Sequence, residues 1–135
     1  MALAHDRGAS DVALLDETIG ANFARAVARA PAHEALVSCH QGLRFTYAEL
    51  DAQVDRVARG LLARGIAKGD RVGIWSPNNA EWVFVQFATA KIGAILVNIN
   101  PAYRTSELEY ALTQSGCRPR HSMLATVSRQ VLLMI

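Results

Sequence analysis

At 135 residues, with 51% hydrophobic and 19% charged side chains, the chain is long enough for one domain with a real core. Its formal net charge is only +2, from 14 Lys and Arg against 12 Asp and Glu, with no block of basic residues, so nucleic-acid binding has no electrostatic footprint. No window reaches a membrane span, because Glu81, Gln86, Lys91 and Asn98 interrupt the most apolar region, and the expectation is a soluble protein.

Residues 1–13, opening MALAHDRGASD, are small, polar and unpatterned, with no apolar core for a signal peptide, and are expected to form a loose tail. Thr18 to Arg29 reads as a helix with Ile19, Phe23, Ala26 and Val27 on one side and Pro31 just past its end. Ala35 to Ser38 and Leu43 to Phe45 read as two short strands joined by Cys39-His40-Gln41-Gly42, a hairpin-like connection. The cysteines, Cys39 and Cys117, match no metal or redox spacing and fit a reduced, cytoplasmic protein.

Phe45-Thr-Tyr-Ala-Glu-Leu50 carries a helix start. Thr46 can cap the N–H of Glu49 while the Glu49 carboxylate reaches back to Thr46, a reciprocal capping box. This helix is expected to run to about Arg64, with Tyr47, Leu50, Val54, Val57, Leu61 and Leu62 on the apolar face and Asp51, Asp55, Arg56 and Arg59 on the other. Gly65 ends it, and Lys68-Gly69-Asp70 turns the chain.

The centre of the sequence is a strand–helix–strand unit from Arg71 to Pro101. Val72 and Ile74 lie in a short apolar run closed by Ser76-Pro77, which resists continuation of a strand ladder. Asn78 or Asn79 is suited to cap the following helix, and Glu81 sits in its first turn, where a carboxylate suits the positive end. Ala80 to Ile92 is apolar on nearly every side, the pattern of a helix buried all round. Gly93 fits the left-handed stop, and Ala94 to Ile99 is a continuous apolar run of the kind covered on both faces in a parallel sheet. Beyond Pro101, Thr105 or Ser106 is expected to cap another helix, with Glu109 three residues after Ser106. Leu108, Ala111 and Leu112 give it an apolar face, and Gly116 is the stop.

Phe45 to Leu50, together with Lys91-Ile92-Gly93-Ala94 leading to Asn100-Pro101, closely resembles the N-terminal region of the AMP-forming acyl-CoA synthetases, within the adenylate-forming enzymes. The wording around SPNNAEW and NINPAYR is most similar to synthetases acting on medium- or long-chain fatty acids, and the likeness runs from about Leu15 to Arg118. The resemblance implies an α/β fold, here the incomplete N-terminal part of the synthetase with a partial, doubly wound, mostly parallel sheet. It implies a two-step reaction in which a fatty acid attacks the α-phosphate of Mg-ATP, giving acyl-adenylate and pyrophosphate, and coenzyme A then displaces AMP. The family's phosphate loop, metal-binding Thr-Glu, ribose-holding Asp and C-terminal Lys lie downstream of the matched part. No catalytic, cofactor-binding or metal site is therefore carried onto this sequence, and whether the chain by itself is an enzyme stays open. The expectation is no activity, with ATP, Mg²⁺ and CoA belonging to the full-length relative. A non-catalytic binding or assembly module, pairing with a separate remainder or a second copy, is the alternative.

A strand is expected straight after Gly116, yet CRPRHSMLATVSRQVLLMI puts Pro119 and two arginines where it should start. The resulting division is a tail over 1–13, a synthetase portion over 14–118, and an aberrant stretch over 119–135 attributed to a frameshift or truncation. An unpaired sheet edge, exposed apolar surface at Val131 to Ile135, and poor solubility or a molten, partly ordered state are expected with it.

Each candidate site residue has a structural reading beside the functional one. Thr113-Gln114-Ser115-Gly116 opens like a phosphate loop but lacks its continuation and falls at a helix end. Neither a Walker P-loop nor a Rossmann glycine fingerprint is present. Ser76 lacks the nucleophile-elbow glycines. His33 and His40 read as loop histidines, Glu49 and Glu81 as helix-cap carboxylates, and Tyr47, Trp82 and Phe87 as core. Lys91, a lone charge near the end of an apolar helix, is the most tempting, although the helix dipole alone favours a cation there.

Overall fold

A computed structural model describes residues 8, 11, 14–117, 124–128 and 131–134. The tail over 1–13 falls almost wholly outside the described residues, as do 118–123 at the start of the aberrant stretch.

Helix α1 (Ile19–Arg29) starts where the Thr18 hydroxyl accepts from the Ala21 amide. Its buried residue is Phe23; Ile19 in the first turn, expected on the same side, is exposed. Strands β1 (Glu34–Ser38) and β2 (Leu43–Thr46) pair antiparallel around a 3₁₀ turn, Cys39–Gln41, closed by Gly42 at φ 65°. Helix α2 (Tyr47–Ala63) begins with the capping box: the Glu49 amide donates to Thr46 Oγ1, and the Thr46 amide donates to Glu49 Oε2 at 2.8 Å. Leu50, Val54, Ala58 and Leu61 are its buried residues; Leu62 instead faces water.

Strand β3 (Arg71–Trp75), helix α3 (Ala80–Ile92) and strand β4 (Ile95–Ile99) form the expected unit, with β3 and β4 parallel in register from Arg71–Ile95 to Trp75–Ile99. Asn79 is the cap, its Oδ1 accepting from the Trp82 amide, and Gly93 at φ 72° ends the helix. No residue of α3 is exposed, as an all-apolar helix requires. It packs against α2, α1 and β4, and Val54, Val72, Ile74, Val85 and Ala88 belong to the buried core. Phe23 stacks on Phe87 with centroids 4.3 Å apart, and Phe45 meets Phe84 edge-on at 5.3 Å. Strand β4 is less covered than its continuous apolar run implies. It is the outermost strand of its sheet, and Ile95 is 47% exposed.

Helix α4 (Thr105–Ser115) starts one residue earlier than expected, with Arg104 at the cap. The carboxylate reaching back is Glu107, which accepts from the Arg104 amide at 2.8 Å, and not Glu109. Further along, β5 (Leu124–Ser128) and β6 (Val131–Met134) pair antiparallel, and β6 pairs antiparallel with β3, giving the sheet order β4-β3-β6-β5. The fold is α/β, with one parallel and two antiparallel pairings in this sheet. The edge of β3 away from β4 is paired with β6 over Gly73–Trp75. A strand-length apolar run supplies the ladder of N–H and C=O groups that an open strand edge lacks. Among the described residues, no helix is long and apolar enough to cross a membrane.

Candidate functional site

In open α/β sheets, ligands gather at the carboxyl ends of parallel strands. Here that edge is formed by Trp75-Ser76 after β3 and Ile99-Asn100 after β4. Its polar groups are committed to turns. Ser76 Oγ donates to the Pro77 carbonyl at 2.8 Å and accepts from Asn79 Nδ2 at 3.2 Å, so Ser76 is a buried turn residue and not a nucleophile. Trp75 Nε1 donates to the Asn100 carbonyl at 3.1 Å, tying the two strand ends together, and Asn100 Oδ1 accepts from the Ala102 amide.

The start of α3 is closed by a residue to which no local pattern pointed. Gln41 Oε1 accepts from the Ala80 amide at 2.7 Å and from Ser38 Oγ at 2.6 Å, while Gln41 Nε2 donates to Glu81 Oε2 at 2.9 Å. The β1–β2 connection is thereby fastened to the helix. Glu81 is a cap-turn carboxylate with a partner 40 residues away. His40 Nδ1 lies 3.5 Å from Ser38 Oγ, at the limit of a hydrogen bond, and His33 is an exposed loop residue.

Lys91 is not alone. Its Nζ lies 2.5 Å from Asp51 Oδ1 and 2.6 Å from Asp55 Oδ1, and 5.8 Å from the centroid of the Phe23 ring. Burial works against the charge, but hydrogen bonds to Asp51 and then Asp55 outweigh it and hold the ammonium above its ordinary pKa. Asp51 and Asp55, expected on the outward side of α2, therefore point at α3. One sequence signal could have found this: two carboxylates spaced i, i+4 opposite a single cation in an apolar helix. Tyr47, Trp82 and Phe87 pack as partly buried core, and Glu49 is a cap whose pKa is lowered by the Thr46 backbone amide and then the Thr46 hydroxyl.

Thr113 to Gly116 form the last turn of α4 and its stop, with the Gly116 amide donating to the Thr113 carbonyl and Gly116 at φ 70°. A phosphate there would meet the negative end of the helix dipole. At the positive end of α3, Gln41 and Asn79 already accept from the Ala80 and Trp82 amides, and Glu81 adds negative charge. Among the described residues, no three His, Cys, Asp or Glu side chains are grouped to hold a metal ion.

An open groove of about 560 Å³ lies on α4, lined in part by Tyr103, Tyr110, Ala111 and Gln114. Its lining is mostly apolar, with Glu107 the charged residue.

The family profile described as AMP-binding enzyme matches residues 23–119. The medium-chain acyl-CoA ligase ACSF2, mitochondrial, of Macaca fascicularis is 46% identical over 116 residues, a span covering 86% of this chain and 19% of the relative. A fatty acyl CoA synthetase of Mycobacterium tuberculosis superposes with a TM-score of 0.71 at 36% identity, covering 73% of this chain and 20% of that one. The N-terminal subdomain of NpsA from Klebsiella oxytoca superposes with a TM-score of 0.69 at 27% identity, covering 73% and 26%. The chain thus spans about a fifth of the length of the curated relatives it matches.

Proposed function

The chain belongs to the AMP-binding enzyme family, and from that premise we propose that it is the N-terminal portion of an ATP-dependent fatty acid–CoA ligase, structural in role and catalytically silent by itself. The observation that supports this is the long match to acyl-CoA ligases, 46% identical over 116 residues, in a stretch where Gln41, Asn79 and Lys91 are engaged in caps and ion pairs. The full reaction is formation of acyl-CoA, AMP and pyrophosphate from a fatty acid, ATP and CoA. ATP, Mg²⁺ and CoA are assigned to the rest of the enzyme, a reading supported by the first amides of α3 being already capped by Gln41 and Asn79. A medium-chain acid is the proposed substrate class, by likeness to the ligases named above.

The test is fatty-acid-dependent ATP–pyrophosphate exchange with the purified chain, Mg²⁺ and a medium-chain acid. No exchange above an enzyme-free blank is expected; a reproducible signal would overturn catalytic silence. The proposed compartment is cytoplasmic, supported by Cys39 and Cys117 both being free thiols. Fractionation that recovers the protein with mitochondria, as in the names of the animal relatives, would refute it. A second reading, an assembly module, is favoured by the groove on α4.

A further inference from the structure

Strand β3 holds Val72 and Ile74 at 0% exposure, so its backbone runs through the core. An open edge there would set unpaired N–H and C=O groups beside apolar side chains, the arrangement that recruits a strand from another molecule. One edge of β3 is taken by β4 in an unbroken parallel register. The other is taken by β6, running the opposite way, with Gly73 facing Met134, Ile74 facing Leu133 and Trp75 facing Leu132. Strand β6 is covered in turn by β5, so among the described residues the sheet ends on β5 and not on β3.

The hairpin thus exchanges one edge for another of a different kind. Strand β5 is five residues long, carries Thr126 and Ser128, and its register against β6 shifts between those two positions. A short, interrupted strand is a poor template for edge-to-edge pairing, whereas the regular ladder of β3 is a good one. Both hairpin strands lie beyond residue 119, where the match to the family ends, so this pairing belongs to the present sequence and not to the part it shares with its relatives. We propose that the β5–β6 hairpin is an edge guard that keeps a second copy of this chain from adding a strand to β3. The stretch expected to make the chain insoluble then does the reverse. This inference is independent of the ligase reading.

The test uses the full chain and Leu133→Pro. Proline removes a backbone N–H and is tolerated in sheets only at edges and bulges, so it breaks β6, which is flanked on both sides. The unsubstituted chain should sediment as a monomer across a concentration series, with slow amide exchange over Gly73–Trp75. In dilute Leu133→Pro those amides should exchange at least about tenfold faster, while the Val54 and Ala58 amides stay protected. On concentration this variant should form dimers or larger species in which Gly73–Trp75 slow again, and a peptide of residues 124–134 should reverse the association. Where Leu133→Pro also loses protection at Val54, Ala125→Pro in the outer strand is read by the same criteria. A variant that stays monomeric with Gly73–Trp75 exchange unchanged would overturn the guard. So would association that leaves those amides fast, or an unsubstituted chain that self-associates as strongly.

Discussion

Lys91 Nζ on α3 and Asp51 Oδ1 on α2 are 2.5 Å apart, joining positions 40 residues distant in the chain. Asp55 is the second carboxylate on the same ammonium, and the Phe23 ring of α1 lies beneath it, so one side chain links three helices. Lys91→Met should cost on the order of 1–2 kcal/mol, less than for a fully buried pair because Asp55 is about half exposed. The folded-state pKa of Lys91 is raised. Its stabilisation is therefore complete at pH values below the unfolded pKa and is lost as pH climbs through the folded one. Urea melts should show an alkaline decline in the native chain that flattens in Lys91→Met. A decline of equal size in both would remove the cluster from the explanation.

The capping box of α2 works in the opposite pH direction. Glu49 is held as a carboxylate by the Thr46 amide and hydroxyl, which lower its pKa. Its contribution is present above the unfolded pKa and fades as pH falls through the folded one. Thr46→Ala should cost about 1 kcal/mol at neutral pH, as a lost N-cap does. The acid limb of the melting profile should also become shallower in Thr46→Ala. An unchanged limb would show that the carboxylate does not depend on this threonine.

The cap, the Asn79 and Gly93 boundaries and the pairing of β3 with β4 were legible because each depends on residues within four positions or on one apolar run. Ile19 and Leu62 were misplaced because helical periodicity fixes a stripe but not where the neighbouring element ends. Gln41–Glu81 and Lys91–Asp51 each join residues 40 apart, and only the folded crossing of elements creates them. The end of α4 at Gly116 was legible as well, since Thr113 to Gly116 already had the composition of a helix end. The groove on α4 was not, because the same helical stripe fits a covered and an uncovered face.

Two glycine replacements should move stability in opposite directions. Gly93 sits at φ 72°, and an added Cβ would lie 3.0 Å from Lys68 Cγ. The lysine can shift, so the left-handed backbone dominates, and Gly93→Ala should lose roughly 1 kcal/mol. Gly60 lies within α2 with nothing within 4 Å of its would-be Cβ. Gly60→Ala should gain about 0.5–1 kcal/mol from helix propensity. Paired thermal melts test this, and a shift of the same sign in both proteins would contradict the assignment of Gly93 as a left-handed stop.

Gln41 is the residue whose loss should be most local. Its amide oxygen accepts from Ala80, and its amide nitrogen donates to Glu81, so Gln41→Ala leaves both without that partner. Ser38 Oγ also loses its bond to Gln41 Oε1, and the cost should be about 1–2 kcal/mol, the penalty of three lost hydrogen bonds partly relieved by water. Gln41→Glu should be worse than Gln41→Ala, because a second carboxylate would face Glu81 at hydrogen-bond distance. Amide exchange reads the effect directly. The Ala80 amide should exchange faster in both variants, while the Val54 and Ala58 amides in the middle of α2 stay protected. If Ala80 keeps its protection in Gln41→Ala, Asn79 alone caps the helix, and the β1–β2 connection is only adjacent to α3 instead of fastened to it.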